Sequence, residues 1–145
     1  MAFQLPDPTT PFGERVARRL RDEPIIWLTT VDAKGSPQPA PVWFLWDQAT
    51  TTFLVYSLNA ARRHAHIELN PAVALNFDGN GSGGDIIVFT GRARISSGEP
   101  SADQVPDFVA KYHDIIANSA FGKPAVYAQR YSVVLRIQPT SIRGH

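Results

Sequence analysis

The chain has 145 residues and a formal net charge of +1, which points to one domain around one core and offers no broad electrostatic footprint for nucleic acid or an anionic membrane. It contains no cysteine, so disulfides, cysteine-ligated zinc, iron–sulfur clusters and thiol catalysis are excluded. Three Trp, four Tyr and eight Phe supply bulky core residues, no apolar run reaches the length of a membrane helix, and nothing near Met1 resembles a signal peptide. The cytoplasm is the expected location.

Residues 1–12 are Pro-rich and read as an extended arm, leaving residues 13–145 as the domain. A short helix follows, with Val16 and Leu20 on one face and Arg15, Arg18, Arg19 and Arg21 on the others, and it must stop before Pro24. Residues 25–31 form a β-rich run bounded by Pro24 and the turn at 32–35. Residues 41–46 are the next expected strand, preceded by Pro37 and Pro39. Those prolines cannot donate ladder hydrogen bonds, so this stretch lies at a sheet edge or faces a ligand.

A hairpin at 47–51 leads into a strand at 52–57. Asn59 is a suitable N-cap for a helix over 60–70, which Pro71 ends. Residues 72–77 alternate as a strand, a glycine-rich loop spans 79–84, and 85–95 read as a long strand with a bulge at Gly91. Val105, Phe108, Val109, Tyr112 and Ile116 follow helical spacing, predicting a helix from about Pro106 to Gly122. Residues 131–137 are the last strand and 141–145 a short tail. Six strands without strand–helix alternation favour an antiparallel barrel with a helical crossover between the third and fourth.

Chemistry-bearing motifs are sparse. Gly79, Gly81 and Gly84 satisfy G-x-G-x-x-G, but a strand follows where a phosphate-binding helix is needed, so a hairpin loop is expected. His64 and His66 lie two apart in a predicted helix and face different ways, which argues against a metal pair. No hydrolase or Walker motif is present. Arg62 and Arg63 open the same helix directly after Tyr56 and Ser57, where orphan N–H groups, two guanidiniums and a hydroxyl can cradle a phosphate. Two solvated surface arginines would look the same in sequence. Likewise the run from Ser36 to Trp43, rich in proline and small residues, can back a flat ring or merely form a rigid edge.

The runs Leu28 to Pro37, Pro41-Val42-Trp43-Phe44, Val55-Tyr56-Ser57 and Asn70 to Leu75, continued by Ala74 to Gly81 and Asp85-Ile86, resemble the pyridoxamine-phosphate-oxidase-like split-barrel superfamily. Within it the chain is most similar to the actinobacterial branch of deazaflavin-dependent reductases, which use coenzyme F420. The resemblance covers roughly residues 13–143. It implies a six-stranded antiparallel split β-barrel, and a homodimer with two cofactor sites between subunits.

It also implies a phosphate held by the third strand and following helix, here Ser57, Arg62 and Arg63 with Tyr56 and Asn59 beside them. The cofactor ring is then backed by the second strand, here Gln38, Ala40, Pro41, Val42 and Trp43. Relatives commonly carry a lysine where Arg63 stands and a further basic residue near Ala65. The implied activity is hydride transfer between the deazaflavin and a small electrophile. The cofactor brings the chemistry, so no catalytic constellation is required of the protein. An FMN flavoprotein of the same fold and a non-catalytic cofactor carrier are the alternatives. Vitamin B6 oxidation is not expected, because the arginines for that substrate's phosphate are not located. Nucleic acid and membrane are not expected partners.

Overall fold

The computed structural model describes residues 2–145. Helix α1 (Pro11–Asp22) begins where Pro11 fixes the first turn and the Thr10 hydroxyl accepts the Gly13 N–H. Its Val16 and Leu20 are buried against the sheet. Strands β1 (Ile26–Val31), β2 (Pro37–Val42), β3 (Leu45–Asp47) and β4 (Thr52–Ser57) come next, followed by helix α2 (Arg63–Leu69). Strands β5 (Ala72–Asn76) and β6 (Ile87–Ile95) lead to helices α3 (Pro106–Ala117) and α4 (Pro124–Arg130), and β7 (Val133–Gly144) ends the chain. Among the described residues no helix is long and apolar enough to cross a membrane.

The sheet is antiparallel throughout, in the order β2-β1-β5-β6-β7-β4-β3. Its two edge strands, β2 and β3, are separated in sequence only by Trp43 and Phe44. A chain that joins opposite edges through two residues forces the sheet to curl on itself, which makes the mainly β, split-barrel architecture expected from sequence. Seven strands stand where six were expected, because the strand predicted over 41–46 divides. The cause is Tyr112: its hydroxyl accepts the Phe44 N–H at 2.9 Å and donates to the Pro24 carbonyl at 2.7 Å. Lys111 Nζ takes the Phe44 carbonyl at 2.9 Å. Captured on both sides, Phe44 leaves the ladder, and the chain crosses from one edge to the other.

Other boundaries move for similar reasons. Helix α2 begins at Arg63 rather than residue 60, and Asn59 is not its cap. The Asn59 amide instead donates to the Gln129 carbonyl, and its oxygen accepts from the backbone N–H and hydroxyl of Ser132. Helix α3 ends at Ala117; Gly122, at φ +70°, then turns the chain into α4, which the sequence reading missed. The expected tail at 141–145 is strand: β7 pairs with β6 as far as Ile87 opposite Gly144. The predicted bulge is present between Thr90 and Gly91. A Cβ on Gly91 would sit 2.4 Å from the Gln138 carbonyl oxygen, which is why glycine occupies the bulge.

Two apolar clusters result. Phe44, Phe53, Val55, Leu75, Phe89 and Ile137 belong to the barrel interior. Leu54 and Tyr56, pointing the other way from β4, pack with Phe108, Tyr112, Ile116 and Tyr127 of α3 and α4. All six residues of β4 are therefore buried, and the helical layer sits over the strand that ends at Ser57.

Candidate cofactor site

At the end of β4 the side chain of Ser57 is buried, and two groups from the first turn of α2 converge on its hydroxyl. Arg63 Nη1 donates to Ser57 Oγ at 2.8 Å, and His64 Nε2 lies 2.8 Å from the same oxygen. One hydroxyl proton suffices for both contacts if Oγ accepts from Arg63 and donates to a neutral His64. Burial, and then the neighbouring Arg63 charge, hold the imidazole below its ordinary pKa of 6.5, consistent with that assignment.

The sign of the resulting pH effect is fixed. Unfolded His64 protonates near pH 6.5 while the folded one resists, so its contribution to stability is complete above that value and is lost as the pH falls below it. Urea midpoints at pH 7.5 and 5.5 should show a smaller acid loss in His64→Gln than in wild type.

Arg63 is half-buried, and burial lowers its pKa. Among the described residues it forms no ion pair, and Ser57 Oγ is its one hydrogen-bond partner. A guanidinium carries five N–H donors, so most of its donor capacity is unspent. It faces a cleft of about 270 Å³ lined by Pro41 and Val42 at the end of β2, Trp43 just beyond it, Tyr56, Leu58, and the aromatic residues Phe121, Tyr127 and Tyr131. The Trp43 ring lies between Tyr112 (centroids 4.5 Å apart, planes 6°) and Tyr127 (4.8 Å, 17°), and Tyr127 stacks on Tyr131 (4.4 Å, 8°). Burial raises the phenol pKa values, that of Tyr56 to about 12, with the nearby Glu99 charge adding to its shift. Tyr56, Tyr112 and Tyr127 are therefore neutral at pH 7. One isolated cation at the end of an aromatic slot suits a flat ring joined to an anionic group.

Of the residues expected from sequence, Pro41, Val42, Trp43, Tyr56 and Arg63 line this cleft, with Ser57 directly behind Arg63. The remainder lie elsewhere. Gln38 reaches Asp32 Oδ2 at the far end of β2, Ala40 pairs with Leu28 in the ladder, and Asn59 is tied to the α4–β7 junction. Arg62 is exposed and makes no side-chain hydrogen bond among the described residues. Ile25 and Leu58 also line the cleft, and the aromatic side chains that sequence reasoning missed are Phe121, Tyr127 and Tyr131. Their signal was Gly122 followed by Pro124, a helix stop and start.

The two histidines diverge as expected, His64 to Ser57 and His66 Nδ1 to Thr30 Oγ1. No cluster of three metal-ligating side chains exists among the described residues. The Gly79–Gly84 loop is closed by Asn80, whose side-chain oxygen accepts the Ser82 and Gly84 N–H groups, and strand β6 follows it. It opens no helix, so it has no dinucleotide-binding geometry.

The family model described as pyridoxamine 5'-phosphate oxidase matches residues 12–145. Among solved structures, a protein described as an F420 reductase is 24% identical, with a TM-score of 0.62 over 87% of this chain and 94% of that one. A conserved hypothetical protein of Mycobacterium tuberculosis gives a TM-score of 0.71 at 14% identity, covering 97% of this chain and 88% of the other. The heme storage protein HutZ from Vibrio cholerae gives 0.59 at 20% identity, covering 90% and 93%. At these identities the structural likenesses establish the fold. No curated protein matches the chain.

Proposed function

The chain belongs to the pyridoxamine 5'-phosphate oxidase family, and on that premise we propose that it is an F420-dependent oxidoreductase that passes hydride to a small electrophile. The observation that carries this reading is the half-buried, unpaired Arg63 guanidinium at the head of an aromatic cleft. Arg63 and Ser57 would hold the cofactor's phosphate, and Pro41, Val42 and Trp43 would back its ring. When bound, the deazaflavin supplies the hydride chemistry. The protein's residues supply a fixed anion contact, an apolar wall and exclusion of water, so the lack of any acid–base constellation in the cleft is compatible with the activity. F420 is favoured over FMN by the sequence resemblance and by Arg62, an exposed second cation next to Arg63 that can attract an acidic tail.

The chain acts as a homodimer in this reading. A cleft of about 270 Å³ is slightly below the roughly 300–1,000 Å³ of small-molecule sites, which supports a site whose wall is completed by a second copy. Leu58 at the cleft and Val126 on α4 are 43% and 37% exposed, placing apolar surface where that copy would dock. A cytoplasmic location, with its supply of reduced cofactor, completes the proposal.

The test is turnover. Reduced F420 mixed anaerobically with catalytic amounts of protein and a panel of quinones, enones and nitroaromatics should be oxidised faster than in protein-free controls for at least one acceptor. Binding without turnover across the panel would instead make the chain a cofactor carrier.

A further inference from the structure

A larger cavity of about 500 Å³, sharing no lining residue with the aromatic cleft, lies between α1, β3 and α3, and the cofactor reading does not use it. We propose that it is a second ligand site, for a small apolar carboxylate whose anionic head pairs with the Lys111 ammonium. The cavity volume is within the range of small-molecule sites. Its walls are largely apolar: Leu5 from the N-terminal arm, Ala17 and Leu20 from α1, Leu45 and Trp46 from β3, and Ala110 from α3.

Lys111 also lines the cavity, with Nζ donating to the Phe44 carbonyl at 2.9 Å and lying 3.7 Å from the centre of the Phe44 ring. An ammonium has three donors, and among the described residues one of them finds an acceptor.

Asp22 and Glu23 attract the Lys111 charge from a distance, but each carboxylate is already engaged by an arginine. Asp22 is held by Arg21 at 2.8 Å and Glu23 by Arg19 at 3.0 Å. Asp107, one turn earlier on α3, lines the cavity without an ion pair to Lys111. Burial pushes Lys111 down to about 8, so the cation persists at pH 7 but is poorly solvated. A carboxylate is the chemistry that satisfies both spare donors and the charge. A cationic ligand would meet Lys111 and Arg21, and a neutral one would leave the ammonium as it is.

Octanoate titrated into the full protein by calorimetry tests this, with octanol as the neutral analogue. Saturable octanoate binding is expected, with octanol at least roughly tenfold weaker. Lys111→Met should lose about tenfold or more, while Lys111→Arg retains most of the affinity. Arg63→Ala should bind octanoate as wild type does. In wild type labelled at the lysine ε-carbon, one of the three lysine signals, from Lys111 rather than Lys34 or Lys123, should titrate at higher pH with octanoate present. Absence of saturable binding, equal affinity for octanol, unchanged affinity in Lys111→Met, or loss in Arg63→Ala would each overturn the proposal. If Lys111→Met fails to fold, the octanol comparison and the wild-type lysine titration decide it.

Discussion

Replacing Arg63 by Ala should weaken cofactor binding by roughly 1.5–3 kcal/mol, or about 10- to 150-fold. The guanidinium is half-buried with no carboxylate beside it, so the cofactor phosphate would be its one charged partner. Folding stability should change by no more than about 0.5 kcal/mol, because its single protein contact is to a hydroxyl that His64 also holds. Arg63→Lys should lose less, keeping the charge without the bidentate fork. Arg62→Ala serves as the comparison: its side chain is exposed and bonds to none of the described residues, so its loss should be severalfold smaller. Calorimetric titration of the four proteins checks the order. Equal losses at the two arginines would mean that the phosphate lies outside the Ser57 corner.

The second large effect is expected at Tyr112, away from the cofactor cleft's arginine. Tyr112→Phe should lower stability by roughly 2–3 kcal/mol, read from urea midpoints, although only one oxygen is removed. Phe44 is fully buried, and the Tyr112 hydroxyl is the partner of its N–H at the point where β2 gives way to β3. Removing it strands that donor in the interior and frees the Pro24 carbonyl. Tyr131→Phe, whose hydroxyl has no hydrogen-bond partner among the described residues, should cost less than about 0.5 kcal/mol. A Tyr112→Phe change within that same range would mean that the break between the two edge strands holds itself.

The same tyrosine shows where the sequence ceased to be readable. Local pattern sufficed for most strands and for the β6 bulge, where Gly91 admits the extra residue; α1 was expected but drawn to follow an arm over 1–12, whereas Thr10 caps it and Pro11 opens it. The candidate residues Pro41 to Trp43, Tyr56, Ser57 and Arg63 fall together because the end of β2, the end of β4 and the start of α2 meet at the cleft. Local pattern failed where a distant partner overrides local preference. The strand over 41–46 divides because a hydroxyl 68 residues away captures Phe44. Asn59 looked like a cap because its own neighbourhood suits one, yet its partners are Gln129 and Ser132. The polar stretch after Pro139 read as a tail, since only pairing with β6 makes it strand. The aromatic wall from α4 was missed for a local reason, a single helix drawn through Gly122.

The central claim, a dimer that selects a deazaflavin, is tested most directly by one native mass spectrum of the intact protein mixed with equal concentrations of F420 and FMN. The expected result is a particle of twice the chain mass carrying two molecules of F420. A monomer, or a dimer loaded with FMN in preference to F420, would contradict it.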